Sequence, residues 1–121
     1  MLEYGKYYHI YNKGLKGISI FMKEEDYIHF LNLMTIFLTP VADIYAYALM
    51  GNHLHLAIRI KEEDEIGFLN SDFADSKDLN LKWKTYPVND KKNQNSDILY
   101  KKPIPGHMLQ HMFNAYVQWF N

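Results

Sequence analysis

Two histidines one residue apart, His53 and His55 in "GNHLHLAIRI", are the side chains of this sequence best suited to chemistry. Alternate side chains of an extended strand leave the same face, so the two imidazoles project side by side. Neutral imidazoles placed that way can share one divalent cation. A His-hydrophobic-His run is short enough to recur by chance, and two half-exposed histidines on a sheet face are the plain alternative. The surroundings favour the sharper reading. Leu54, Leu56, Ile58 and Ile60 make the strand's other face aliphatic, Gly51-Asn52 precedes the pair, and a separate strand carries His9 among tyrosines.

The elements that must position these residues follow from periodicity and punctuation. "KYYHIYNKG" alternates as a strand, with Tyr7, His9 and Tyr11 on one face and Tyr8 and Ile10 on the other, and ends in the turn Asn12-Lys13-Gly14. "KEEDYIHFLNLMTIFLTP" predicts a helix: Glu24, Glu25 and Asp26 suit its N-terminus, Tyr27, Leu31, Met34 and Leu38 form one stripe, and Pro40 marks its end. "DIYAYALM" and "HLHLAIRI" predict two strands joined at Gly51-Asn52. From Lys61 to about Gly106 the composition shifts to Asn, Asp and Lys. This segment is expected to be a polar inserted loop or flap, because structureless connections longer than ~15 residues are uncommon; Trp83 within it is expected in a small local core. "HMLQHMFNAYVQWFN" predicts an amphipathic helix after Pro105-Gly106, with Met108, Met112, Ala115 and Trp119 along one stripe.

Strand, helix, strand, strand, helix is the order of an α+β ferredoxin-like, or split βαβ, antiparallel sheet with helices on one face, lacking its last strand. In that fold the first and third strands are neighbours, so His9 is expected beside His53 or His55.

The totals set limits. A chain of 121 residues suits a single domain, 1–121, with a modest core. Tyr (10) outnumbers Phe (7) and Trp (2), so much of the aromatic surface keeps a polar handle. A net charge of −1 supplies no bulk basic field, and any nucleic-acid contact must be local. The absence of cysteine excludes disulfides, thiolate zinc sites and a cysteine nucleophile. The sequence has no signal-peptide layout and no apolar run of the roughly 20 residues that cross a bilayer, so a cytoplasmic protein is expected.

"YYHIYNKG", "KEEDYIHFL", "PVADIYAYALMGNHLHLAIRI" and "FNAYVQWFN" together resemble the REP-associated tyrosine transposases, relatives of the single-tyrosine insertion-sequence transposases. The likeness covers most of residues 4–61 and about 107–121. It implies that His53 and His55 ligate Mg²⁺ or Mn²⁺, which polarises the scissile phosphate of single-stranded or hairpin DNA. It further implies a tyrosine that attacks that phosphate, forming a 5′-phosphotyrosine and freeing a 3′-hydroxyl. The family's nucleophile lies on a helix that follows the last strand, and neither has a counterpart before Asn121, so the resemblance implies a C-terminally truncated chain. Tyr116, followed by Gln118 and Asn121, is the candidate nucleophile present. Its run, however, is similar to the family's preceding helix, and packing or lining a DNA groove is its expected role. Members of the insertion-sequence branch dimerise by joining sheets; for this chain a homodimer is left open, since an unfinished sheet exposes an edge that invites pairing. The alternative is an inactive remnant that binds single-stranded DNA without cutting it; a metal- or ligand-binding protein unrelated to DNA comes last.

Other residues carry weaker expectations. Tyr7 and Tyr11 offer stacking platforms for unpaired bases, and His9, Lys13 and Arg59 offer DNA contacts. Lys6, Lys16 and Lys23 could also track a phosphate backbone, although each is equally a common surface lysine. His107 and His111, four apart on a helix, lack a neighbouring Glu and are expected to meet phosphate or a partner helix instead of a metal. His29 is expected to be structural or solvated. "KEEDE" at 61–65 reads as a solvated loop.

Overall fold

The computed structural model describes residues 2–70, 85–86 and 100–120. Its centre is β3, His53–Ile60, which pairs antiparallel with β1, Tyr7–Lys13, on one side and with β2, Ala42–Met50, on the other. Burial alternates strictly along β3, with Leu54, Leu56, Ile58 and Ile60 at most 2% exposed. That alternation fixes the register. Each such side chain gains roughly 1.5–3 kcal/mol on burial, so a one-residue slip would forfeit an amount comparable with a domain's whole stability and bury an arginine.

Two helices cover the aliphatic face. α1, Glu24–Leu33, starts where Asp26 Oδ2 accepts from the backbone N–H groups of Met22 (2.7 Å) and Lys23 (2.8 Å), which satisfies donors that a helix start leaves free. It runs into one wider π-type turn, Met34–Leu38, closed by the Thr39 N–H to the Met34 carbonyl at 3.1 Å. The most deeply buried residues here are Phe30, Leu33, Met34, Phe37 and Leu38, while Tyr27 and Leu31 are only half-buried. The expected stripe is therefore right at Met34 and Leu38 and displaced at its start, where Phe30 and Leu33, not Tyr27 and Leu31, continue the helical spacing into the core. α2, Pro105–Phe120, buries Met108, Met112 and Tyr116 at four-residue spacing. Trp119, expected on that line, is 45% exposed.

The β2–β3 hairpin turns over Gly51-Asn52, as expected, and the segment after β1 clamps it. The Asn52 carbonyl accepts from the Gly14 N–H at 2.9 Å, and the Gly51 carbonyl accepts from Ile20 and Phe21 at 2.7 and 3.0 Å. Gly14 has to be glycine here, because a Cβ would collide with the Ile18 carbonyl oxygen. The clasp therefore depends on the "NKG" that ends β1.

The polar segment contains more order than a loop. β4, Phe68–Asn70, pairs antiparallel with β5, Thr85–Tyr86, and with β6, Tyr100–Lys101, in the order β5-β4-β6. Trp83 lies outside the described residues. The fold is α+β: among the described residues, the three-stranded antiparallel sheet β1-β3-β2 packs with two helices, compatible with a ferredoxin-like arrangement. Among the described residues nothing pairs with the outer edge of β1, and no helix is long and apolar enough to cross a membrane.

Candidate nucleic-acid interface

The face of the sheet away from the helices carries the histidines. Opposed residues of an antiparallel pair share a face, so the register assembles it: Tyr7 opposite Arg59, His9 opposite Ala57, Tyr11 opposite His55 and Lys13 opposite His53. All the expected site residues except Tyr116 stand together on this face.

β2 completes the face through a bulge. Ile44 opposes Ile58 and Ala46 opposes Ala57, which leaves Tyr45 as the extra residue between them. A bulge of this kind reorients a side chain without moving the rest of the strand. Tyr45 accordingly turns to the open face, where its ring meets Tyr7 at 5.7 Å and a hydrogen bond with Tyr7 raises its pKa. Tyr47, two residues on, instead opposes the core residue Leu56. Past the bulge, Ala46 and Ala48 oppose Ala57 and His55, so small side chains floor the middle of the face. Tyr7, Tyr11 and Tyr45 are 69%, 53% and 60% exposed, more than packing alone would leave them.

The three histidines form one cluster. His9 Nε2 and His55 Nδ1 are 2.8 Å apart, and their ring planes differ by only 7° with centroids 5.0 Å apart. The rings therefore meet edge to edge, in plane, as an N–H···N hydrogen bond requires, and are not stacked face to face. The His53 ring stands at 90° to that of His55 with centroids 5.3 Å apart, and its Nδ1 lies 2.8 Å from Asn52 Oδ1. Tyr11 leans on the group from β1, 4.8 Å from the His55 ring and 6.1 Å from that of His53.

Arg59 closes the other end. Its guanidinium lies 3.1 Å from Asp43, 3.3 Å from Glu65 and 3.7 Å from Glu62. Partial desolvation works against its charge, but the Glu65 and Asp43 carboxylates outweigh this and raise its pKa. Three acidic partners make it an organiser of the sheet end before it is a phosphate ligand. "KEEDE", expected to be plain solvated loop, supplies two of the three.

Tyr116 lies on the opposite side of the sheet. It is 6% exposed, packs against Phe21, Phe30 and Phe120, and donates its hydroxyl to the Ile20 carbonyl at 2.5 Å. Burial pushes its pKa well up, with the Asp26 carboxylate adding to the effect, the reverse of what an attacking phenolate needs. A cavity of about 400 Å³ beside it is lined mainly by apolar side chains, among them Ile20, Leu54, Phe113 and Phe120. Packing is therefore the role its geometry gives. His29 is on the same side, stacked on Trp119 at 4.2 Å, and His107 and His111 are exposed on α2.

Two imidazoles supply two of the about six positions of an octahedral Mg²⁺ or Mn²⁺ shell. Among the described residues no group of three or more His, Cys, Asp or Glu side chains is placed to hold a metal ion. The donor set fits an ion whose remaining positions are filled by water and by oxygens of a bound phosphate.

Sequence reasoning missed two residues of this face. Asn52 was read only as a turn former. Tyr45 was not assigned to a face, because simple alternation through "DIYAYALM" puts Tyr45 and Tyr47 together and gives no sign of the bulge that parts them. No protein-family model matches the sequence, and no curated protein or solved structure matches it.

Proposed function

We propose that this chain is a DNA-binding protein of the transposase-like kind its sequence resembles, and that the open sheet face takes single-stranded or hairpin DNA. The observation that carries the reading is the joint placement of His9, His53 and His55 with three exposed tyrosines on the face away from α1 and α2. Exposed aromatic rings on a sheet suit unpaired bases, which stack on them whatever their sequence. The imidazoles of His53 and His55 would hold Mg²⁺ or Mn²⁺ together with a backbone phosphate. A divalent cation there supplies Lewis-acid polarisation of the non-bridging oxygens. Lys13, beside His53 in register, adds the local positive charge that the chain as a whole lacks.

Cleavage needs a nucleophile as well. The burial of Tyr116 on the far side favours the second reading, binding of single-stranded DNA without cutting by this chain. The ferredoxin-like assignment, a cytoplasmic location and a homodimer belong to the same proposal. The outer edge of β1, unpaired among the described residues, supports the dimer, since open edges invite pairing. A monomer at high concentration in analytical ultracentrifugation would remove that part.

The reading is tested by adding a single-stranded hairpin oligonucleotide to ¹⁵N-labelled protein and following amide shifts. Perturbation concentrated at residues 7–13, 43–48 and 53–59 is expected. Perturbation confined to α1 and α2, or none at all, would overturn it.

A further inference from the structure

The hydrogen bonds behind the two histidines decide which of their nitrogens can bind anything. A neutral imidazole has one N–H and one lone pair, and only the lone pair can hold a cation. Asn52 Oδ1 is an acceptor, so the His53 Nδ1 beside it carries the proton and Nε2 keeps the lone pair. For His55 the bond to His9 can run in two senses. If His9 Nε2 donates, then His55 Nδ1 is occupied as acceptor and its Nε2 carries the proton, so the ring has no lone pair left to offer. If His55 Nδ1 donates, its Nε2 is free.

We infer that Asn52 and His9 are positioning residues that hold His53 and His55 in the Nδ1–H tautomer, so that both Nε2 lone pairs are presented from the open face. The inference rests on the proposed metal reading for its purpose, but the tautomers can be observed without any metal.

Both positioning residues are fixed from elsewhere. Asn52 sits in a two-residue turn whose backbone is clasped by Gly14, Ile20 and Phe21. His9 stands on β1 opposite Ala57, whose methyl group leaves room for the His9 ring to reach diagonally to His55. His9 is exposed, so water can satisfy its own Nδ1–H when Nε2 accepts. Metal-binding histidines are commonly oriented in this manner, with the second ring nitrogen donating to a neighbouring acceptor, and loss of that acceptor typically lowers affinity about 10–100-fold. His9 would thus act through His55 without touching the ion.

Long-range ¹H–¹⁵N spectra of the imidazoles, taken on the metal-free protein at about pH 8, read the tautomers directly. The expected result is Nδ1–H for both His53 and His55, with His55 shifting towards Nε2–H in His9→Leu and His53 doing so in Asn52→Ala. A His55 found as Nε2–H in the parent protein, or unmoved in His9→Leu, would overturn the assignment. Mn²⁺ retention, followed by electron paramagnetic resonance, supplies the second readout. His9→Leu is expected to lower it about tenfold, and His9→Gln, whose amide oxygen can accept in place of Nε2, to restore most of the loss. Equal retention in all three proteins would contradict the positioning role. Tautomers as expected in a parent protein that retains no Mn²⁺ would uphold the assignment and overturn the metal reading.

Discussion

His9 and His55 are diagonal neighbours across β1 and β3, not opposed ones, yet His9 Nε2 and His55 Nδ1 lie 2.8 Å apart in nearly coplanar rings. The residue directly opposite His9 is Ala57, and the residue directly opposite His55 is Tyr11. A larger side chain at 57 would fill the space through which His9 reaches. The pair therefore depends on an alanine as much as on two histidines.

The exposed tyrosines should contribute to binding and little to folding. Tyr7→Ala and Tyr45→Ala are each expected to weaken affinity for a single-stranded oligonucleotide by about 1–3 kcal/mol where the ring stacks a base. Fluorescence anisotropy against the parent protein measures this. Duplex of the same sequence should show no such loss.

Tyr116 should behave in the opposite way. Tyr116→Phe removes the donor to the Ile20 carbonyl and is expected to cost about 0.5–1.5 kcal/mol in urea unfolding, since a part-buried hydrogen bond is lost. Oligonucleotide affinity should stay unchanged. A loss of DNA cleavage without a loss of stability would instead mark it as a nucleophile.

His29 gives the stability a pH dependence of known sign. Burial lowers its pKa below the ordinary 6.5, and the nearby Asp26 offsets this only in part. The unfolded chain then binds the proton more readily than the folded one. Stability from this group is complete above about pH 6.5 and falls as the pH drops towards the lowered folded value. The effect should be small, since the ring is only partly buried. His29→Gln is expected to flatten the change in urea midpoint between pH 7.5 and 5.5 without altering the midpoint's dependence on carboxylates.

Glu65 is held below the usual carboxylate range first by the Glu62 N–H, which donates to it at 2.8 Å, and then by Arg59. Arg59→Gln should therefore raise its pKa only part of the way back. A ¹³C-detected titration of the side-chain carboxyl measures it. A full return to the ordinary value would mean that the guanidinium, and not the backbone, sets the charge.

Much of this architecture was legible in the residues. Leu54, Leu56, Ile58 and Ile60 alternate without interruption, so the faces of β3 followed from pattern alone, and with them the placement of His53 and His55 on the face away from the core. The proximity of His9 followed from the expected strand order. What pattern could not supply was local departure from a period: the bulge at Tyr45 and the π-type turn at Met34–Leu38 each insert a residue that hydrophobicity does not announce. The pairing of Arg59 with Glu62 and Glu65 was hidden for another reason, since a charged run after a strand reads the same whether or not it folds back on it. The second ring nitrogens were also out of reach, because a hydrogen bond from His53 to Asn52 is a matter of rotamers.

If His53 and His55 join a divalent cation to a DNA phosphate on the open face, the cation must strengthen DNA binding and must act through these two side chains. The most direct test is the affinity of a fluorescent single-stranded hairpin oligonucleotide for the parent protein and for His53→Ala/His55→Ala, each in Mn²⁺ and in EDTA. Mn²⁺ is expected to tighten binding to the parent protein, the double variant to lose this gain, and both to bind alike in EDTA. Binding indifferent to Mn²⁺ and to the two histidines, or no binding by the parent protein in either condition, would contradict it.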